Sequence, residues 1–268
     1  MPRASSTHRP RKRFGQHFLH DPGVIARILA AIDPQPQDAM VEIGPGLGAL
    51  TLPLLTRLEE LHAVEIDRDA VRELRARAAQ AGPGSGKLHI HEADALTFDF
   101  GMLRTRSALR LVGNLPYNIS TPLLFRLIEQ REHVLDMHFM LQKEVVDRMA
   151  ARPGEDSYGR LSVMLAPWVR VTALFDIGPG AFRPPPRVTS SFVRLTPHTI
   201  PPLPIDNPAH YSAIVAAAFS QRRKTLRNAL RALLDEDDIA AAGVDPGLRA
   251  EMIAPEGFAA LAARLAKP

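Results

Sequence analysis

The chain has 268 residues, of which 46% are hydrophobic and 23% are charged, a balance typical of a globular protein with one large and one small domain. It contains no cysteine, which excludes disulfides, thiolate metal sites and cysteine nucleophiles. No apolar run approaches the roughly 20 residues that span a membrane, and no secretory signal is apparent at the N-terminus. We therefore expect a cytoplasmic protein without membrane contact.

Two short segments carry much of the positive charge. Residues 1–13 and residues 222–231 each hold five Lys or Arg side chains and no acid, so subtracting these ten charges from the net charge of +4 leaves −6 on the rest of the chain. We predict that the first segment is a flexible basic arm and that the second lies on a helix. Both patterns fit phosphate contacts whose strength falls steeply with salt, and the alternative is a solvated tail and helix face.

The first predicted elements form a nucleotide-binding pattern. Asp21 and Pro22 predict the start of a helix. An apolar strand at residues 39–43 runs into a glycine-rich turn at residues 44–48 and then into a helix, which is the context that a nucleotide-binding loop requires. The glycines of this turn, which allow a ligand to approach the backbone closely, are Gly44, Gly46 and Gly48.

Acidic residues follow the next two predicted strands. A strand at residues 61–66 ends in Glu65, at about the spacing where an acidic side chain meets ribose hydroxyls. His89 and His91 alternate on a third strand, and because no third ligand accompanies them we predict no metal there. Asp94 closes this strand at its carboxyl end, where an α/β sheet binds ligands and where a carboxylate can accept a hydrogen bond from an adenine amine.

The fourth strand ends in a polar loop with the sequence Asn114-Leu115-Pro116-Tyr117. Asn114 offers an amide with donors and an acceptor, Pro116 stiffens the backbone, and Leu115, which precedes it, is held extended. Tyr117 supplies a flat face. An acceptor-rich loop beside an aromatic face suits a planar base with an exocyclic amine. The alternative is a plain turn followed by a helix that Ser120 or Thr121 caps, with Pro122 in its first turn.

Strands alternate with helices from residue 20 to residue 195, which predicts an α/β fold with a mostly parallel sheet. Further strands are predicted at residues 137–141, 169–177 and 191–195. The candidate ligand groups then lie along one carboxyl edge of this sheet. Either a nicotinamide dinucleotide or S-adenosylmethionine can bind there, and the second suits the chain better because no second glycine-rich turn follows a later strand.

Eight segments of the chain together resemble the KsgA/RsmA family of small-subunit (16S) ribosomal RNA adenine N6-dimethyltransferases. They are residues 14–19, 42–48, 65–67, 94, 114–117, 142–145, 158–162 and 221–226. The resemblance implies a class I methyltransferase domain, which is Rossmann-like with a seven-stranded, mostly parallel sheet, and a small C-terminal helical domain. It also implies S-adenosylmethionine as cofactor and four methyl transfers to two adjacent adenosines near the 3′ end of the RNA.

The resemblance also assigns site residues. The cofactor contacts that it implies, together with the glycines of the turn, are His17, Leu19, Gly44, Gly46, Gly48, Glu65, Asp94 and Asn114. The catalytic loop that holds the target amine is Asn114, Leu115, Pro116 and Tyr117. His17 departs from the Asn of some members, so its contact differs in geometry. The residues expected to hold RNA phosphates are Arg11, Lys12, Arg13, Arg222, Arg223, Lys224 and Arg227.

These assignments predict a domain plan and partners. The plan is a basic arm at residues 1–13, a methyltransferase domain at 14–197, a Pro-rich linker at 198–208 and a helical RNA-binding domain at 209–268. We expect a monomer that acts on 16S ribosomal RNA, within a pre-assembled small ribosomal subunit during ribosome biogenesis, and that uses no metal.

Four alternatives stay open. An Erm-type enzyme methylates large-subunit RNA and shares the fold and an Asn-x-Pro-aromatic loop. A ribosome assembly factor on the same fold would lack catalysis, although the intact glycine turn and Asn114 argue against that loss. A DNA adenine methyltransferase fits less well, because Leu115 stands where such enzymes carry a proline. A nicotinamide-dependent dehydrogenase is the fourth.

Overall fold

The computed structural model describes residues 17–80, 86–104 and 107–265, which divide into two compact units. The first unit comprises residues 17–143 and 172–197, and the second comprises residues 144–171 and 198–265. None of the helices in these described ranges is long and apolar enough to cross a membrane.

The strands of the described residues are β1 (Phe18–Leu19), β2 (Met40–Ile43), β3 (Glu60–Glu65), β4 (Lys87–Glu92), β5 (Leu109–Asn114), β6 (Val134–Gln142), β7 (Val169–Ile177), β8 (Phe182–Arg183) and β9 (Ser190–Pro197). The α-helices are α1 (Pro22–Ile32), α2 (Thr51–Leu55), α3 (Arg68–Ala79), α4 (Ser120–Glu129), α5 (Lys143–Ala150), α6 (Arg160–Leu165), α7 (Pro208–Ala218), α8 (Leu226–Leu230), α9 (Glu236–Ala241) and α10 (Pro255–Arg264). Short 3-10 helices lie at Phe100–Leu103, Arg131–His133, Pro179–Ala181 and Ala250–Met252.

The main sheet has seven strands in the order β4-β3-β2-β5-β6-β9-β7. The pairs from β4 to β6 are parallel, and β9 runs antiparallel to β6. This confirms the predicted class I methyltransferase sheet. A separate two-stranded ribbon pairs β1 antiparallel with β8. Strands β2 and β5 lie in the middle of the main sheet and are buried along most of their length, as expected of parallel strands covered on both faces.

Two local features position the carboxyl edge of the sheet. The side chain of Asp21 accepts a hydrogen bond from the backbone N–H of Val24 at 3.0 Å, which confirms the predicted N-cap of α1. At Gly113, a Cβ atom would collide with the backbone carbonyl oxygen of Ile43. Glycine therefore lets β5 approach β2 closely, just before the polar loop begins.

Residues 144–171 belong to the second unit because two buried tyrosines tie them to its helices. Tyr158 donates its hydroxyl to the carbonyl oxygen of Ile253 at 2.8 Å, and Tyr211 donates to the carbonyl oxygen of Val163 at 2.9 Å. Burial raises the pKa of both hydroxyls. Leu203, from the Pro-rich stretch, is buried in the same core.

The predicted helix at residues 222–231 is wrong in its first part. Residues 221–224 form a turn, and α8 begins only at Leu226. The physical reason is that residues from a later loop take the first backbone donors. The N–H of Leu226 donates to the carbonyl oxygen of Leu248 at 2.8 Å, and Thr225 forms a bridge with Arg249. The backbone before Leu226 therefore does not continue a helix.

Candidate active site

A cavity of about 970 Å³ opens at the carboxyl edge of the sheet, within the first unit. The predicted catalytic and cofactor residues that line it are His17, Leu19, Gly44, Gly46, Gly48, Glu65, Asp94, Asn114, Leu115, Pro116 and Tyr117. Sequence reasoning did not assign the following lining residues a role: Glu42, Arg77, Arg183 and Pro184. The strand ends and the ribbon of β1 and β8 therefore enclose one site.

The glycine-rich turn after β2 gives the cavity an open backbone wall. Gly44 and Gly46 have φ angles of +66° and +53°, in the left-handed region that favours glycine. The atom nearest to a Cβ built on Gly44 is the carbonyl oxygen of Asn114, at 4.0 Å. A side chain at Gly44 would fill this space, and without one a ligand can reach the backbone.

Glu65 joins the glycine turn to the end of β3. It is buried, and its two carboxylate oxygens accept hydrogen bonds from the backbone N–H of Gly46 at 3.1 Å and of Asp67 at 2.9 Å. Burial raises the pKa of Glu65 above its usual value, and the two hydrogen bonds offset only part of this increase. Because a carboxylate has about four acceptor positions, Glu65 keeps capacity for the hydroxyls of a ribose.

Glu42 is a second buried carboxyl group at this wall. It lies inside the apolar strand β2, it lines the cavity, and Thr51 donates its hydroxyl to it. Burial raises the pKa of Glu42 to about 8, with a smaller contribution from the nearby charge of Glu65. The sequence signal that could have found it is a charged residue in the middle of a four-residue apolar strand.

Asp94 lies just beyond β4. Its Oδ1 accepts a hydrogen bond from the backbone N–H of Leu96 at 2.9 Å. In the part of the chain that the structure describes, its Oδ2 has no hydrogen bond. Asp94 therefore presents an acceptor to the cavity, the group that would recognise an exocyclic amine on the base of a cofactor.

The loop after β5 carries two acceptors. The Asn114 side chain donates from Nδ2 to the carbonyl oxygen of His17 at 2.8 Å, which leaves its Oδ1 as an acceptor. The N–H of Leu115 donates to the carbonyl oxygen of Met140 at 3.2 Å. Within the described ranges, neither Asn114 Oδ1 nor the Leu115 carbonyl oxygen has a hydrogen-bond partner. Both are therefore available to the two N–H groups of an adenine amine.

The carbonyl groups of the next two loop residues, Pro116 and Tyr117, are occupied. Pro116 accepts from the backbone N–H of Ile119 at 3.1 Å, and Tyr117 accepts from the Ser120 hydroxyl at 3.1 Å. Ile119 is the N-cap of α4 and Ser120 is its first residue, so the N-cap that the alternative interpretation expected at Ser120 or Thr121 is wrong. These bonds hold the turn in one conformation.

The Tyr117 side chain is positioned by a hydrogen bond at its hydroxyl and by a neighbouring ring. Its hydroxyl shares a hydrogen bond of 2.7 Å with the hydroxyl of Ser190, which sequence reasoning did not identify. Its ring lies 5.6 Å from the His17 ring, centre to centre, at an interplanar angle of 29°. Burial raises the pKa of the Tyr117 hydroxyl, so it stays protonated near neutral pH.

His17 connects three parts of the site. Its backbone carbonyl accepts from Asn114, its ring stacks near Tyr117, and its Nδ1 donates to the carbonyl oxygen of Pro184 at 2.8 Å. The structure thus places the His17 side chain beside the polar loop, and its predicted contact with the cofactor stays a prediction. Leu19, on β1, is buried and lines the same cavity.

The predicted RNA-binding residues fall in two places. Arg11, Lys12 and Arg13 lie outside the described residues. The other members are exposed in the second unit, on the turn and on α8: Arg222, Arg223, Lys224 and Arg227. Among the described residues, long ion pairs engage two of them, Arg222 with Glu251 at 3.8 Å and Arg227 with Glu236 at 3.6 Å.

His89 and His91 belong to a group of three stacked imidazoles. The His62 ring centre lies 4.9 Å from that of His89 and 5.3 Å from that of His91. Burial and mutual repulsion lower the pKa of His62 and of His91. Among the described residues, no three His, Asp or Glu side chains converge so that they could hold a metal ion.

Comparisons with known proteins agree with this geometry. The family described as ribosomal RNA adenine dimethylase matches residues 7–267. The ribosomal RNA small subunit methyltransferase A of Methylococcus capsulatus is 55% identical over 258 residues, covering 96% of this chain and 98% of the relative.

Two solved structures resemble the chain over most of its length. A dimethyladenosine transferase from Plasmodium falciparum is 26% identical with a TM-score of 0.74, covering 91% of this chain and 96% of that chain. The 23S rRNA methyltransferase ErmE is 25% identical with a TM-score of 0.71, covering 92% and 99%. Since the family match spans nearly the whole sequence, the chain belongs to the ribosomal RNA adenine dimethylase family.

Proposed function

We propose that the chain transfers methyl groups from S-adenosylmethionine to the N6 atoms of two adjacent adenosines near the 3′ end of 16S ribosomal RNA, giving N6,N6-dimethyladenosine. The observation that carries this proposal is a pair of acceptors beside the Tyr117 ring, Asn114 Oδ1 and the Leu115 carbonyl oxygen, which have no hydrogen-bond partner in the part of the chain that the structure describes. The near full-length identity to a small subunit methyltransferase supports the same substrate. Such a substrate makes the cytoplasm the expected location.

The residues around the cavity fit S-adenosylmethionine. The open backbone at Gly44 admits a ligand, and Glu65 and Asp94 offer acceptors for ribose hydroxyls and an adenine amine. A positive charge in the cavity would favour the ionised forms of Glu42 and Glu65, whose pKa values burial raises, and this cofactor carries a sulfonium. When bound, it supplies an electrophilic methyl group. His17 and Leu19 complete the proposed wall.

The chemistry asks the protein mainly for placement. The N6 lone pair of adenine is delocalised into the ring, so the amine is a poor nucleophile. Hydrogen bonds from its two N–H groups to Asn114 Oδ1 and to the Leu115 carbonyl oxygen favour a pyramidal nitrogen. Pro116 stiffens the loop that carries both acceptors. Alignment of the amine with the methyl group then accounts for much of the rate.

No residue of the loop acts as a strong base. Tyr117 keeps its proton near neutral pH, because burial raises its pKa and its hydroxyl is bonded to Ser190. Its ring offers a stacking face worth roughly 1–3 kcal/mol for a flipped base. The proton of the methylated amine leaves to solvent. After the first transfer, one of the two acceptors is free, and the pocket must admit the monomethylated amine.

The basic residues of the second unit are proposed to hold RNA phosphates. The arm that contains Arg11, Lys12 and Arg13 is proposed to do the same. Reversing the charges of Arg222, Arg223 and Lys224 should weaken binding to small subunits and lower the salt slope of log K by roughly 2. Cofactor affinity should not change, since these residues lie in the unit without the cavity.

The control for this experiment reverses three exposed arginines of the first unit, Arg57, Arg72 and Arg75. It changes the net charge equally, so an equal loss of RNA binding would attribute the effect to total charge. An unchanged salt slope in the Arg222, Arg223 and Lys224 variant would refute the proposed phosphate contacts.

The proposal is tested with labelled S-adenosylmethionine and undermethylated small ribosomal subunits, with large subunits in parallel. Digested RNA is analysed by mass for dimethyladenosine. We expect it in small-subunit RNA alone. Dimethyladenosine only in large-subunit RNA would move the protein to the Erm-type activity, and cofactor binding without transfer to either subunit would favour a non-catalytic assembly role.

A further inference from the structure

Arg183 lies at the rim of the cavity on a fixed piece of backbone. It is the second residue of β8, and its Cα pairs with Phe18 of β1. Successive side chains of a strand face opposite sides, so Phe182 is buried while Arg183 is exposed and lines the cavity.

Hydrogen bonds on both sides of β8 hold this backbone in place. The backbone N–H of His20 donates to the carbonyl oxygen of Ala181 at 2.9 Å, and His17 Nδ1 donates to that of Pro184 at 2.8 Å. The Cα of Arg183 is therefore fixed relative to the polar loop, because His17 also contacts Asn114 and Tyr117.

The two arginines that line the cavity among the described residues differ in their contacts. Arg77 is engaged by Glu73 at 2.9 Å and by the carbonyl oxygen of Leu47 at 3.2 Å. Arg183 has no hydrogen bond or ion pair within the described ranges. A guanidinium on a fixed backbone, with five donors and no partner, is suited to an oxyanion.

The position of Arg183 indicates which oxyanion it meets. It adjoins Pro184, whose carbonyl holds the His17 ring that stacks beside Tyr117. A base that stacked on Tyr117 would carry the phosphates of its own nucleotide toward this rim. We propose that Arg183 binds a phosphate that flanks the target adenosine and thereby positions the nucleotide. This inference rests on the proposed function, which makes an RNA adenosine the occupant of the loop.

The test compares Arg183→Ala and Arg183→Lys with Arg57→Ala. Arg57 is an exposed arginine in the turn before β3, away from the carboxyl edge of the sheet, and it lines no part of the cavity. Equilibrium binding to undermethylated small subunits is measured over a salt series, methyl transfer is measured separately, and cofactor affinity is measured without RNA.

For Arg183→Ala we expect roughly tenfold weaker subunit binding, a raised KM for subunits, and a salt slope lower by roughly 0.7–0.9, as for one lost phosphate contact. Cofactor affinity should not change. Arg183→Lys should restore part of the binding and the wild-type slope, because a phosphate accepts either cation. Arg57→Ala should match the wild type.

Three results would overturn the inference. Equal subunit binding and equal salt slopes of the Arg183→Ala and Arg57→Ala proteins would show that Arg183 contacts no phosphate. A loss of cofactor affinity would assign the guanidinium to the carboxylate of the cofactor. An unchanged slope with Arg183→Lys as weak as Arg183→Ala would indicate stacking on a base. Failure of the wild type to methylate small subunits would refute the proposed function, whereas the salt slope of binding decides on Arg183.

Discussion

Replacing Glu42 by glutamine is expected to stabilise the cofactor-free protein, and increasingly so as the pH rises. Glu42 is buried and accepts a hydrogen bond from Thr51, which a glutamine amide oxygen can also accept. The substitution therefore keeps the shape of the site and removes the ionisable group.

The magnitude follows from the pKa of Glu42, which burial raises from 4.5 to about 8. Because the folded pKa is the higher one, the contribution of this carboxyl to stability is fully present below pH 4.5 and is lost as the pH rises toward 8. At pH 7 the unfolded chain has released a proton that the folded chain retains. At about 1.4 kcal/mol per pKa unit, this costs the folded state about 3 kcal/mol, as an upper bound.

The assay is urea unfolding, followed by far-UV circular dichroism, of the wild type, Glu42→Gln and Glu59→Gln. Glu59 is an exposed glutamate and serves as the control. The unfolding free energy of Glu42→Gln should exceed that of the wild type by under about 1 kcal/mol at pH 5 and by about 3 kcal/mol at pH 7. A difference that stays constant from pH 5 to pH 8 would mean that Glu42 is ionised in the folded protein and would refute the reasoning.

Four further predictions concern the cofactor, the base and the core. Binding of cationic S-adenosylmethionine should lower the pKa of Glu42 and release part of a proton at pH 7. Calorimetry in buffers of different ionisation enthalpy measures this release. An equal release by the Glu42→Gln protein would contradict the prediction. Tyr117→Ala should lower kcat/KM by roughly 5- to 150-fold through lost stacking, whereas Tyr117→Phe should lose less; equal losses would assign the role to the hydroxyl. Burial lowers the pKa of His138 from 6.5 to about 4. The free energy of unfolding should therefore fall by about 2 kcal/mol between pH values above 6.5 and pH 5, as the imidazole is forced to take up a proton. In urea unfolding His138→Met should lack this loss, and a variant as sensitive to acid as the wild type would contradict the prediction. Gly113→Ala should cost about 1–3 kcal/mol of unfolding free energy, since its Cβ would collide with the neighbouring strand; an unchanged urea midpoint would disprove the close packing.

The sequence alone predicted which residues meet at the ends of neighbouring parallel strands. A strand, a glycine turn and a helix identify the wall at Gly44, and acidic residues at the ends of the next two strands identify Glu65 and Asp94. These residues meet because the carboxyl ends of parallel strands share one edge. No long-range pairing has to be known to place them together.

Contacts between distant segments could not be predicted. Tyr117 bonds to Ser190, and Asn114 bonds to His17, across 73 and 97 residues of the chain. Such pairs depend on the register of β9 and on the ribbon of β1 and β8, whose strands have two residues each and show no periodicity.

The second unit illustrates the same limit. Tyr158 and Val163, from residues 144–171, belong to its core, and the hydroxyls of Tyr158 and Tyr211 donate to carbonyl groups across long sequence separations. The turn before α8 depends on the bridge between Thr225 and Arg249. A basic, helix-favouring sequence gives no sign of that bridge.

The most direct test of the central claim is the mass of modified adenosine in small-subunit RNA after reaction with the wild type and with Asn114→Ala. The wild type should produce dimethyladenosine in small-subunit RNA. Asn114→Ala, which removes one of the two acceptors, should produce little or none while still binding small subunits. Dimethyladenosine formed at the wild-type rate by Asn114→Ala would contradict the claim that this loop holds the reacting amine.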